Sequence, residues 1–376
     1  MNMPGRDRIV AGAAGPETGR RPAITVADLG EFGLIAVIQA LLPSGSAGPV
    51  GIGDDAAVVR APDRRVVATT DLLVEGRHFR RDWSGAFDIG GKAAAQNLAD
   101  IAAMGASPTA LLVGFAAPGD LLASWAEDLV RGLAEECARA GASVVGGDVS
   151  SADSVMLAIT ALGDLGGREP VTRGGAQAGD LLAIVGRPGR SAAGLALLEA
   201  GLAGAPGPVN APGLSGAGAP GPVNAPGLSG AGAPGPVNAP GAAAEFAGLV
   251  ASHRRPQPPY ASGPEAAILG ATSMIDTSDG LVADLGHVAE ASGVRLDIET
   301  ARLPADPALR SAATALGANW LRWVLTGGED HVLAATFPPE TDLPGHWLVV
   351  GTAGKGRGVT VDSGPWDGPG GWNHFA

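Results

Sequence analysis

From Asp28 onward the chain alternates between helical and strand-like patterning, and that alternation limits what it can fold into. DLGEFGLIAVIQALL sets Leu34, Val37, Ile38 and Leu41 at helical spacing, whereas RRVVATTDLLV reads as a strand. A helix is predicted from about Gly91 to Met104, stopped by Gly105 with Pro108 beyond. TALLVGFAAP, SVVGGDV and SVMLAITALGDL read as strands, with a helix over Leu121 to Ala140 between the first two. GDLLAIVG then opens a second series. It has helices at Ala192 to Ala200 and Leu281 to Ala291, and strands at RLDIE, HVLAATF and WLVVGTA. Leu281, Leu285 and Val288 fall on one helix face, which predicts a second core rather than an extension of the first. The fold class expected is α/β (α+β) in two domains.

At 376 residues the chain exceeds one ordinary core. The expected boundaries are a disordered tail over 1–27, a first domain over 28–166 and a second over 167–376, with an insertion at 203–244. Inside that insertion AGAPGPVNAPGLSG occurs in full at 203–216 and 217–230 and truncated at 231–241. The unit carries only Val and Leu among prolines and glycines, too little to stack as a solenoid, and glycine does not recur every third residue as collagen needs. A surface loop without a catalytic role is expected.

Five separated stretches carry aspartates in glycine-rich or polar turns: GIGDDA, TTDLLVEGRHF, QNLADIAAMGA, GGDVSS and IDTSDGL. Aspartate is a poor strand former and mediocre inside helices, so Asp54, Asp55, Asp71, Asp100, Asp148, Asp276 and Asp279 need a reason. Convergence on divalent cations supplies one, because Mg²⁺ is held by carboxylates together with substrate phosphates. Each stretch also has a plainer reading. GIGDDA could be a solvated turn, and Thr69-Thr70-Asp71 either an oxygen-bearing rim or an exposed strand end. Asn97 and Asp100 share a helix face, where Asp100 would serve as a metal ligand or pair with Lys92. GGD is read as following a strand. IDTSDGL is read as the start of a helix, where Asp or Ser caps and phosphate also binds.

A formal net charge of −13 disfavours a nucleic-acid partner. No apolar run is long enough for a membrane span, and the first residues lack the apolar stretch of a secretion signal. The single cysteine, Cys137, excludes a disulfide framework and reads as a buried small residue in a helix. A cytoplasmic enzyme is expected. Walker A and protein-kinase motifs are missing, so phosphate would be handled otherwise.

GEFGLI, GIGDDA, TTDLLVEGRHF, NLADIAAMGA, GGD, TRGGAQAGD, SAAGLALL, IDTSDGL and GGED occur in the order seen in the thiamine-monophosphate kinase family. Over about Asp28 to Phe375, the insertion apart, the chain resembles that family, part of the aminoimidazole ribonucleotide synthetase (PurM-like) superfamily. The resemblance implies ATP-dependent phosphorylation of thiamine monophosphate to thiamine diphosphate with several Mg²⁺ ions, in a homodimer joined through the first domain's sheet. It implies metal ligation by Asp55, Thr69, Thr70, Asp71, Asp100, Asp148, Asp276 and Asp279, with Asp54 in support. ATP would meet Gly147, Asp148, Arg173 and Ser278. The thiamine substrate would meet His78, Glu329 and, by stacking, Trp372. No general base is implied.

Within the superfamily, selenophosphate synthetase and the hydrogenase maturation factor depend on cysteines at positions where Cys137 does not sit. Purine-synthesis enzymes remain the enzymatic alternative, and a catalytically silent nucleotide-binding protein the non-enzymatic one.

Overall fold

The computed structural model describes residues 23–42, 52, 56–202, 242–368 and 370–371. Asp54, Asp55, Trp372, residues 203–241 of the insertion and most of the N-terminal tail lie outside the described residues.

The first half opens with α1 (Val26–Leu41). Thr25 and Asp28 form a capping box there: Thr25 Oγ1 accepts from the Asp28 amide at 3.2 Å, and the Thr25 amide donates to Asp28 Oδ2 at 2.9 Å. Then come β1 (Val67–Val74), α2 (Ala86–Ala103), β2 (Ser107–Ala117), α3 (Ala123–Ala140), β3 (Ser143–Ser151) and β4 (Met156–Asp164). The four strands form one sheet in the order β1-β4-β2-β3, antiparallel except for the β2–β3 pair.

The second half contains β5 (Leu181–Val185), α4 (Arg190–Glu199), α5 (Ala242–Arg254), α6 (Ser262–Ile268), β6 (Ser273–Thr277), α7 (Leu281–Ser292) and β7 (Arg295–Ile298). It continues with α8 (Pro307–Leu316), α9 (Trp320–Thr326), β8 (Val332–Phe337), β9 (Leu348–Gly354), β10 (Gly358–Val361) and β11 (Gly364–Pro365). Its sheet runs β11-β10-β7-β9-β5-β8-β6. The mixed α/β class expected from patterning is the class observed.

Strand periodicity explains how the layers stack. Leu182, Ile184, Ile275 and Ala334 turn to a core shared with α4, α5, α7, α8 and α9. Their neighbours Ala183, Val185, Met274, Leu333 and Ala335 turn the other way, into a core shared with α2, α3 and the first sheet. As expected, Leu281, Leu285 and Val288 belong to a second core, built on one face of the second sheet, while the other face of that sheet completes the first core. Helix α2 lies between the two sheets and is buried along most of its length, which accounts for its Ala and Gly content. It begins at Ala86, five residues ahead of the predicted start at Gly91. Where α2 crosses α3, a Cβ at Gly90 would stand 2.0 Å from the Leu129 carbonyl oxygen, and one at Gly132 1.9 Å from that of Phe87. Backbones this close admit no side chain between them.

Two local readings are also corrected. GGD lies within β3, not after a strand, and Asp276 lies within strand β6 rather than opening a helix. IDTSDGL holds too few apolar residues to show as a strand by patterning.

Candidate active site

Strand alternation decides which members of TTD face inward. Thr69, Asp71 and Leu73 point towards α2, while Ala68, Thr70 and Leu72 point to the open face of the first sheet. Thr69 Oγ1 donates to Asp100 Oδ2 at 2.9 Å. The Asp71 amide donates to Asn97 Oδ1 at 3.1 Å, and Gln96 Nε2 donates to Asp71 Oδ2 at 3.1 Å. One face of α2 thus holds β1 by side chains. From the second half, β6 delivers the buried Asp276 to the same place.

These acids oppose one another. Burial, then the charges of Asp276 and Asp71, push the Asp100 carboxyl up to about 8, against the Thr69 hydrogen bond. His331 Nδ1 lies 3.1 Å from Asp276 Oδ2. Burial disfavours the imidazolium, but the hydrogen bond and charge of Asp276 outweigh it and raise the His331 pKa. Asp284, one turn into α7, accepts from the Asp279 and Gly280 amides, both at 3.0 Å. Its carboxyl is pushed up to about 7 by burial and by Asp276. Sequence reasoning missed Asp284, although a carboxylate beside Leu281, Leu285 and Val288 on a buried face was a usable signal.

The loop Gly327-Gly328-Glu329-Asp330-His331 packs directly on the end of β6. A Cβ at Gly328 would lie 2.5 Å from the Ser278 carbonyl oxygen, and Glu329 and His331 take left-handed backbone at φ 63° and 50°. The amides of Glu329 and His331 donate to the Ser278 and Thr277 carbonyls at 2.8 and 3.1 Å. Asp330 accepts from the amides of Gly189 and Ser191 at 2.6 and 2.7 Å, tying the loop to the start of α4. Glu329 Oε1 meets Lys92 Nζ at 2.7 Å, and Oε2 lies 3.3 Å from His253 Nδ1. Burial alone would raise the Glu329 carboxyl; Lys92, followed by His253, reverses the sign and holds it at about 2. Of the two readings open for Asp100, the pairing with Lys92 is therefore not the one observed, because the lysine serves Glu329 instead.

Acidic groups from both halves thus meet beside a turn rich in close backbone contacts. A curated relative, thiamine-monophosphate kinase of Mycobacterium tuberculosis, is 46% identical over 93% of this chain and 93% of its own length. This chain belongs to the thiamine-monophosphate kinase family. The family model for the N-terminal domain of AIR synthase related proteins matches residues 53–165. The crystal structure of thiamine-monophosphate kinase from Stenotrophomonas maltophilia is 30% identical, covering 88% of this chain and 96% of that one at a TM-score of 0.70. A structure of AaThiL complexed with AMPPCP and TMP is likewise 30% identical, covering 94% and 100% at a TM-score of 0.68.

Among the residues that family resemblance singles out, Thr69, Asp71, Asp100 and Asp276 are brought together, with Ser278 and Asp279 at the adjoining turn. Thr70 is not part of this group. Its hydroxyl donates to the Ile159 carbonyl and accepts from Thr160 on the open face. Gly147 and Asp148 lie exposed on the edge strand β3, and no hydrogen bond or ion pair joins Asp148 to the acids among the described residues. Arg173 is exposed beside the start of β6, where the neighbouring Thr172 carbonyl accepts from Met274. Roughly 13 Å of strand separates that point from Ser278, so the two could only contact opposite ends of an extended ligand. His78 is half-buried, and its Nδ1 accepts from the Val74 amide at 3.0 Å. Asp55 and Trp372 lie outside the described residues.

Proposed function

We infer that this chain transfers the γ-phosphoryl group of ATP to thiamine monophosphate, giving thiamine diphosphate and ADP. The observation that carries the reading is the meeting of Thr69, Asp71, Asp100 and Asp276 across the two halves, in a chain similar to a kinase whose solved relative holds AMPPCP and TMP.

The donor set suits Mg²⁺: it is all oxygen, it is partly buried, and its charges repel one another without a counterion. Among the described residues no three acidic or imidazole groups stand close enough to chelate an ion by themselves. That is compatible with an ion that keeps waters and takes phosphate oxygens as further ligands. We assign Asp71, Asp100 and Asp276, with Asp279 and the Thr69 hydroxyl nearby, to hold such ions, and Asp55 by family resemblance. Bound there, Mg²⁺ would neutralise the charge that builds on the phosphates.

The acceptor is an ionised phosphate oxygen of thiamine monophosphate. It forms a bond to the γ-phosphorus as the bond to the β,γ-bridging oxygen breaks, and ADP leaves. No proton has to be removed, so the residues here need only align the two phosphates and screen them. Direct in-line transfer without a phosphoenzyme follows, with Ser278 at the ATP side and His78 and Glu329 at the acceptor side.

We further propose a homodimer joined through the open face of the first sheet. Leu72, Leu112 and Met156 are exposed there, on β1, β2 and β4, and burial against a second copy would remove them from water. The division into units over 28–166 and 167–376 is kept with this proposal. No helix among the described residues is long and apolar enough to cross a membrane. We take the cytoplasm as the place of action.

The deciding experiment incubates the purified chain with ATP, Mg²⁺ and thiamine monophosphate and follows thiamine diphosphate directly. Formylglycinamidine ribonucleotide serves as the competing acceptor. Turnover of the second compound and not the first would overturn the reading. ATP binding without either product would favour a silent nucleotide-binding protein.

A further inference from the structure

Lys92 is 2% exposed, on the helix that lies between the two sheets. Its ammonium has two partners from distant parts of the chain: it donates to the His78 carbonyl at 3.2 Å and meets Glu329 Oε1 at 2.7 Å. His78 sits between β1 and α2, whereas Glu329 sits between α9 and β8, and these segments belong to different halves. We propose that Lys92 is the positioning residue of the acceptor subsite, fixing the spacing between His78 and Glu329 so that both meet thiamine monophosphate together. The proposal rests on the placement of His78 and Glu329 at the acceptor side given above.

Three observations support it. A buried lysine without partners is costly, and the two contacts offset that cost. Glu329 is held at more than one point. Lys92 takes one carboxylate oxygen, while its amide is committed to Ser278 and its backbone is left-handed. Its second oxygen faces His253, whose imidazole is pushed down to about 3 by burial and then by Lys92. The His253 Nδ1 lies 3.3 Å from that oxygen. Ser191 Oγ lies 3.1 Å from that same nitrogen, so the ring is steadied from α4 as well. This clamp leaves the Glu329 side chain 34% exposed, enough to touch a ligand while its orientation is set from behind.

The test uses the full-length chain. Lys92→Met keeps the length and removes the charge and donors, and Lys92→Gln keeps one donor type without charge. Each should raise KM for thiamine monophosphate about tenfold or more while leaving KM for ATP unchanged, the pattern of a lost supporting contact rather than a lost reacting group. Glu329→Gln should raise the same constant, and adding Lys92→Met to it should produce little further change, because the lysine acts through the glutamate. Equal rises in both KM values, full additivity with Glu329→Gln, or failure of both lysine variants to fold would assign Lys92 to structure alone and overturn the proposal. A Glu329→Gln enzyme with unaltered KM for thiamine monophosphate would instead show that the acceptor-side reading is at fault.

Discussion

The Thr69 hydroxyl donates to the Asp100 carboxylate across the gap between β1 and α2, at 2.9 Å. It supports a charge that burial, Asp276 and Asp71 all oppose. A cation arriving there would relieve that opposition, so binding and stability should be linked. Adding Mg²⁺ with AMPPCP should raise the melting temperature of the protein, and Asp100→Asn should abolish most of that rise. Thermal unfolding with and without the pair, in both proteins, checks this; an equal rise in the variant would remove Asp100 from the metal site.

Asp71 and His78 should separate cleanly in kinetics. Asp71→Asn takes a charge from the acidic cluster and is expected to abolish turnover at every reachable Mg²⁺ concentration. His78→Ala should mainly raise KM for thiamine monophosphate with kcat nearly kept. Steady-state rates over a Mg²⁺ series and a substrate series distinguish the two outcomes.

Glu329 predicts an acid limb of the stability curve. In an unfolded chain its carboxyl titrates near 4.5, whereas in the fold Lys92 and His253 overcome burial and hold it at about 2. The folded state therefore releases this proton more readily. Its contribution to stability is fully present above about pH 4.5 and is lost as pH falls towards 2. Urea midpoints measured between pH 5 and 2.5 should fall less steeply for Glu329→Gln than for the parent chain.

The α2–α3 crossing should not tolerate a methyl group. Gly132→Ala places a Cβ 1.9 Å from the Phe87 carbonyl oxygen, and the two buried helices must part to admit it. A loss of about 1–3 kcal/mol is expected from overpacking of this kind. Chemical denaturation would show the midpoint moving down, and an unmoved midpoint would mean the crossing is looser than its geometry.

Deleting residues 217–230, one complete copy of the repeated unit, should leave turnover and both KM values as they were. Loop-closure cost changes only logarithmically with length, by about 0.6 kcal/mol for a halving. A large loss of activity would give the repeats a role.

What could be read from the sequence followed from how each residue signals its surroundings. The α7 face was legible because Leu281, Leu285 and Val288 repeat at helical spacing and all are buried. Asn97 and Asp100 were legible as one face of an alanine-rich helix, and both reach β1. Strand β6 was not legible, because the polar residues of IDTSDG hide a strand buried along its whole length. The partner of Lys92 was not legible either. Asp100 is closer in sequence, but only the docking of the second sheet on α2 brings Glu329 within reach. Thr70 shows the converse: it adjoins Asp71 in sequence, and the strand pleat sends its side chain to the other side.

The helices that flank the repeats run antiparallel. Ser191 lies against His253 at one end, and Gly194 packs on the Leu249 carbonyl further along. The chain accordingly leaves at Leu202 and returns at Ala242 on the side of this pair away from His253 and Glu329. The arrangement makes the interval a splice port. A reporter, an affinity tag or a second protein could be grafted between those two residues, its mass carried by the far ends of α4 and α5, while the ends that brace the acceptor side stay where they are.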